Sequence, residues 1–216
     1  MNLAEYIEHT LLKPDATSEE LKKLLDEAKH HKFKGVCVNP INVKFAKEYL
    51  KGTGIKIVTV VGFPLGASLP EVKAFEATKA VEDGADEIDM VIAIQAVKNQ
   101  EWDYVKKDIS AVKKACGSKI LKVILETDLL TEDEIIKSCE LAIEAKADFV
   151  KTSTGFVKNG VGAKVEDVVI MNNVVSNKGV SIKASGGIKD KEKAIALIDA
   201  GAVRLGTSSG VEISSH

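Results

Sequence analysis

Short β-branched runs alternate with helical stripes along nearly all of this 216-residue chain, and that alternation limits the fold more than any other feature. The runs lie at 35–39, 55–62, 86–92, 120–126, 147–152, 180–184 and 202–206, and a segment around 6–10 adds an eighth. Several are apolar at nearly every position, as parallel strands covered on both faces are. The helices between them are well marked. Thr17 with Glu20 and Thr131 with Glu134 have the spacing of capping boxes, and Leu21, Leu24, Leu25 and Ala28 form a stripe behind the first. Pro40 and Pro70 stand where first-turn prolines belong, ahead of the stripes Val43-Ala46-Leu50 and Val72-Phe75-Ala80. Further helices are marked by Trp102, Val105, Ile109 and Val112, by Ile135, Cys139 and Ala142, and by 165–175 and 190–200. Strict β/α alternation with about eight strands predicts a (β/α)8 TIM barrel, one domain over residues 1–216. A doubly wound open sheet is the alternative that periodicity leaves standing.

Composition narrows the function classes. The net charge of −2 offers no bulk attraction to nucleic acid or to a membrane surface. No apolar run approaches a membrane span, and the first residues lack the layout of a leader, so a cytoplasmic protein is expected. Cys37, Cys116 and Cys139 are too widely spaced for a disulfide framework or a zinc site, and no metal spacing is present. Arg204 is the only arginine, so an anion site has to rely on backbone N–H groups, hydroxyls and lysines.

In a barrel, function sits at the C-terminal strand ends. Here those ends are polar: Glu8, His9 and Thr10; Cys37; Asp89; Lys122 with Glu126; Lys151 and Thr152; Lys183; and Gly206 to Ser209. Lys151 and Lys183 occupy matching places on successive strands. A lysine amine attacks carbonyls only when neutral. A second ammonium about 4 Å away costs about 4 kcal/mol at an effective dielectric of about 20, or roughly three pKa units. The pair therefore suits Schiff-base chemistry, and spacing alone leaves open which amine is the nucleophile. The plainer reading is that strand-end lysines extend to solvent.

Gly186 and Gly187 after the seventh strand, with Gly206, Ser208 and Ser209 after the eighth, fit the phosphate cradle that barrels often carry there. Gly155 can line the same cradle and Lys189 can add charge. Asp89, in the run Asp86-Glu87-Ile88-Asp89, is either a proton relay for the lysines or a salt bridge to Lys122 or Lys151. Asp86 is expected to be solvated at the strand entry, and Glu87 to pair with Arg204 on the barrel floor. Cys37 reads as a core residue or pocket liner, His9 as structural, His30 and His31 as helix-end residues, and His216 as a disordered terminus.

At these residues the chain resembles the deoxyribose-phosphate aldolase family over essentially its whole length. The resemblance is carried by Ile7-Glu8-His9-Thr10-Leu11-Leu12-Lys13-Pro14, Val36-Cys37-Val38-Asn39-Pro40, Val60-Val61-Gly62-Phe63-Pro64-Leu65-Gly66 and Gly84-Ala85-Asp86-Glu87-Ile88-Asp89-Met90-Val91. It continues through Leu121-Lys122-Val123-Ile124-Leu125-Glu126-Thr127, Ala147-Asp148-Phe149-Val150-Lys151-Thr152-Ser153-Thr154-Gly155-Phe156 and Ile182-Lys183-Ala184-Ser185-Gly186-Gly187-Ile188.

The resemblance implies a metal-independent, cofactor-free class I aldolase on a TIM barrel. Its substrate would be a small phosphorylated sugar, 2-deoxy-D-ribose 5-phosphate, cleaved to D-glyceraldehyde 3-phosphate and acetaldehyde. It makes Lys151 the Schiff-base lysine, Lys183 its pKa-lowering partner and Asp89 the proton shuttle. It adds Thr10, Thr152, Cys37, Lys122 and Glu8 to the substrate site, and implies a homodimer or homotetramer. Three positions depart from the family pattern. Glu8 stands where aspartate is usual, Lys189 stands where some members have arginine, and the sequence ends at His216, short of the tail whose tyrosine aids proton transfer in some members. That role is then missing or taken by water. The rival readings are another Schiff-base barrel lyase or isomerase, and a silent binder of sugar phosphates.

Overall fold

The strand β1 (Ile7–Leu11) pairs in parallel with both β2 (Gly35–Val38) and β8 (Arg204–Thr207), so the sheet closes on itself and the open-sheet alternative is excluded. Between them lie β3 (Lys56–Val61), β4 (Glu87–Val91), β5 (Ile120–Ile124), β6 (Phe149–Lys151) and β7 (Ser181–Ser185), each paired with its sequence neighbours. The structure is a computed structural model, and it describes residues 1–214; His216 lies outside the described residues. The helices are α1 (Ser18–His31), α2 (Val43–Tyr49), α3 (Pro70–Glu82), α4 (Ile94–Lys98), α5 (Trp102–Cys116), α6 (Glu132–Glu144), α7 (Val165–Val175), α8 (Lys191–Asp199) and α9 (Gly210–Ser214).

Both expected capping boxes form: Thr17 and Thr131 each accept from the backbone N–H three residues on, and Glu20 and Glu134 reach back. Pro70 opens α3, whereas Pro40 opens a single 3-10 turn and α2 follows it. The main apolar core lies between the strands and the helix layer, with Leu25, Ala28, Val43, Ala46, Ile109 and Val112 fully buried.

Two expectations are corrected. Asp86 is half-buried rather than solvated, because its carboxylate accepts from Ile57 N at 3.0 Å and pairs with Lys47 at 2.9 Å, tying β3 to the entry of β4. The stripe Val72-Phe75-Ala80 does not face the core as a unit. α3 is turned so that Lys73, Ala77 and Ala80 are buried, while Phe75 is 64% exposed and Val72 50% exposed. Lys73 compensates for its burial with two partners, Asp108 of α5 at 2.7 Å and the Val91 carbonyl at 2.9 Å.

Candidate active site

Strand register brings the distant polar residues together. It sets Lys151 beside Lys183 and Asp89 beside Lys122. The Asp89 carboxylate then becomes the hub of the barrel's mouth. Its Oδ2 accepts from Lys151 Nζ at 2.8 Å and from Lys183 Nζ at 2.7 Å, and its Oδ1 accepts from Lys122 Nζ at 2.9 Å. Below it, Glu8 accepts from Lys183 and lies 3.4 Å from Lys122 and 3.3 Å from Arg204. Glu87 closes the floor, 2.6 Å from Lys122 and 3.5 Å from Arg204, which bears out the expected Glu87–Arg204 pair. The remaining sector, toward β2 and β3, is apolar: Leu12, Cys37, Val58 and Val60 with Phe63 packed on them.

Among the described residues this interior holds three carboxylates (Glu8, Glu87, Asp89) against four cations (Lys122, Lys151, Lys183, Arg204). A buried excess of charge is costly, so the set is balanced when one lysine gives up its proton. The neighbourhoods select which. Burial lowers the Lys151 pKa, its one carboxylate partner, Asp89, pulls the other way, and the ammonium of Lys183 lowers it further. Lys183 is equally buried, yet attraction to both Asp89 and Glu8 carries its pKa above that of an ordinary lysine. Lys122, facing Asp89, Glu8 and Glu87, also stays above the ordinary value against its burial. Asp89 is buried, but the ammonium groups of Lys122, Lys151 and Lys183 hold it well below the usual carboxylate range. The amine that spacing could not choose is thus distinguished by its count of carboxylates.

Lys151 is also the lysine of the three that reaches the open cavity above. That cavity measures about 390 Å³ and is lined by Lys151, Thr10, Gly155, Gly186, Gly187, Lys189, Gly206 and Ser208, among others. Ser209 sits beside this wall, with its N–H donated to Thr207 Oγ1 at 2.9 Å. Glu8, Cys37, Lys122 and Thr152 are fully buried beneath it rather than lining it. Thr152 locks the ends of β6 and β7, donating to the Ser185 carbonyl at 3.1 Å and accepting from Ser185 N at 3.0 Å. Burial pushes the Cys37 thiol up, away from the thiolate a nucleophile needs. Gly206 makes room for the amines, since a Cβ there would lie 2.9 Å from Lys183 Cε and 2.9 Å from Ser185 Cβ. A wider depression of about 710 Å³, lined by Tyr6, Lys34, Ile55 and Val203 among others, opens at the opposite strand ends, away from the charged network and from the end where barrels do chemistry.

Sequence reasoning passed over the clamp on the β6–α7 loop. Glu126, buried with φ of 62°, accepts from Thr154 N at 3.0 Å and from the Thr154 hydroxyl. Asp128 accepts from Gly162 N at 2.8 Å, and Gly162 presses on Gly186 so closely that a Cβ would lie 2.3 Å from the Gly186 carbonyl carbon. The only signal in sequence was a run of polar residues, Glu126-Thr127-Asp128, directly after an apolar strand. His9 faces the helix layer, bonded to Glu27 at 2.8 Å and packed on Phe33, the structural role expected of it. Among the described residues no group of three or more His, Cys, Asp or Glu side chains is placed to hold a metal, and no helix is long and apolar enough to cross a membrane.

Comparison with known proteins gives consistent matches. The profile of the DeoC/LacD family aldolases matches residues 6–216. A deoxyribose-phosphate aldolase from Thermococcus gammatolerans is 58% identical over 218 residues, covering 99% of this chain and 95% of that protein. One from Brevibacillus brevis is 55% identical over 213 residues, covering 99% and 95%. The tetrameric deoxyribose phosphate aldolase structure from Aeropyrum pernix superposes with a TM-score of 0.90 at 33% identity, covering 98% of this chain and 89% of that one.

Proposed function

Since this chain belongs to the DeoC/LacD aldolase family, we propose that it cleaves 2-deoxy-D-ribose 5-phosphate reversibly to D-glyceraldehyde 3-phosphate and acetaldehyde through a Schiff base on Lys151. The observation that carries this reading is the amine itself: buried, depressed in pKa, held on Asp89 beside the charged Lys183, and facing the cavity. A neutral Lys151 Nζ adds to the C1 aldehyde of the open-chain sugar, and loss of water leaves an iminium. That cation draws the electrons of the C2–C3 bond as the C3 hydroxyl gives its proton to a water held by Asp89. Glyceraldehyde phosphate departs, the enamine takes a proton at C2, and hydrolysis returns acetaldehyde and the free amine. Asp89, kept ionised by its ammonium partners, orients and relays rather than stores the proton. Lys183 supplies the fixed positive charge that favours a neutral Lys151.

At the far end of the cavity, Gly155, Gly186, Gly187, Gly206, Ser208, Ser209 and Lys189 are proposed to hold the phosphate. Its binding energy would place C1 against the amine. Thr10 contacts the sugar, while Glu8, Cys37, Lys122 and Thr152 act from below by holding the amines and strand ends in place. Three free, buried cysteines suit a reducing cytosol. One catalytic domain over 1–216 and a homodimer or homotetramer complete the reading. Exposed apolar side chains support self-association: Ile41 is 90%, Leu65 73% and Leu69 56% exposed, and Val72 and Phe75 turn outward on α3. A coupled assay for glyceraldehyde 3-phosphate tests the activity. Turnover of deoxyribose 5-phosphate well above ribose 5-phosphate and ketose phosphates is expected, and a preference for a ketose phosphate would place the chain with another Schiff-base lyase.

A further inference from the structure

The phosphate end of the cavity has to meet a dianion, and the chain has few cations to offer it. Arg204, the only arginine, is committed to Glu8 and Glu87 on the barrel floor. Among the described residues three amines line the cavity, Lys13, Lys151 and Lys189, and Lys151 has to be neutral for the proposed chemistry. Lys13 follows β1 and shares the wall with Thr10, Leu11 and Leu12. Its Nζ donates to Glu20 Oε1 at 2.7 Å. Glu20 is itself anchored, since its other oxygen accepts from Thr17 N at 2.8 Å in the capping box that opens α1. The ammonium is therefore aimed by a carboxylate fixed to a helix start, on the half-exposed rim of the cavity. An exposed pair of this kind adds little to stability, so the ammonium is free to turn from Glu20 to a better anion.

Resting on the aldolase reading above, we propose that Lys13 is a phosphate-binding residue that gives this site its preference for phosphorylated over unphosphorylated sugars. On substrate entry its ammonium leaves Glu20 and meets the dianion from the β1 side, while Lys189 and the backbone N–H groups of Gly186 and Gly187 meet it from the β7 side. From the β1 part of the same cavity wall, one residue completes the charge balance that Lys189 alone leaves short.

The test compares 2-deoxyribose 5-phosphate with 2-deoxyribose as substrates, and inorganic phosphate binding by calorimetry, in the wild type, Lys13→Met, Lys13→Arg and Glu20→Gln. Lys13→Met is expected to lose at least about tenfold more kcat/KM on the phosphorylated sugar than on the plain one, chiefly through KM, and to bind phosphate about tenfold more weakly. Lys13→Arg recovers most of both. Glu20→Gln, which keeps a capping-box residue but releases the amine, binds phosphate at least as tightly as the wild type. Equal losses on the two sugars, or phosphate binding unchanged in Lys13→Met, would overturn the proposal. So would a Glu20→Gln protein as impaired as Lys13→Met, because the ion pair itself would then be what matters. A wild type that turns over neither sugar, yet binds phosphate in a Lys13-dependent way, would remove the aldolase reading and leave this inference standing.

Discussion

Inside the barrel, four cations face three carboxylates, and the reactivity proposed for Lys151 follows from that count as much as from its closeness to Lys183. A pair of lysines treated in isolation repel symmetrically, which is why spacing could not rank them. The asymmetry comes from Glu8, which lies 175 residues from Lys183 in sequence and meets it only because β8 closes onto β1. Removing Lys183 as a charge, in Lys183→Leu, leaves three cations for three carboxylates, so Lys151 is retained as an ammonium. The free-amine fraction grows as pH rises through the folded pKa, which is depressed in the wild type. The variant's climb is therefore expected at higher pH, with kcat/KM at neutral pH lower by about a hundredfold or more and partly regained in alkaline buffer. A pH–rate profile checks this; a loss that is uniform across pH would mean that Lys183 acts by shape and not by charge.

At the scale of elements, α3 shows where sequence reading reaches its limit. The buried row Lys73-Ala77-Ala80 and the expected row Val72-Phe75-Ala80 differ by about one residue, a rotation of roughly 100°. Ordinary burial preferences choose the valine and phenylalanine. What reverses them is Asp108 of α5, 35 residues further along, and nothing local to α3 announces it. Lys73→Ala strips the partner from a fully buried carboxylate and is expected to cost about 3–5 kcal/mol of stability. The double change Lys73→Met with Asp108→Leu is expected to recover most of that, because no charge is left unpaired. Chemical denaturation of the two variants measures both. The other elements were legible because their signals are local: two capping boxes, a first-turn proline, and β-branched runs ending in lysine or aspartate. The clamp of Glu126 on Thr154 was not, since it joins two loops whose only shared feature is their position at the barrel mouth.

For the whole molecule, closure of the sheet gathers residues from β1, β4, β5, β6, β7 and β8 into a single site, so the architecture and the chemistry stand together. The same rotation of α3 that buries Lys73 turns Val72 and Phe75 outward, on the helix that follows the exposed Leu69. Exposed apolar side chains of this kind are the sort of surface that a second copy can cover. If the proposed self-association uses this face, Phe75→Glu is expected to lower the mass seen in light scattering relative to the wild type while leaving the barrel folded; an unchanged mass would contradict a role for this face.

The most direct test of the Schiff-base chemistry is borohydride trapping in the presence of acetaldehyde, followed by peptide mass mapping. An ethyl adduct on Lys151, absent from a folded Lys151→Ala protein that has also lost turnover, is the predicted result. An adduct on Lys183, or a folded wild type that takes up no label, would contradict it.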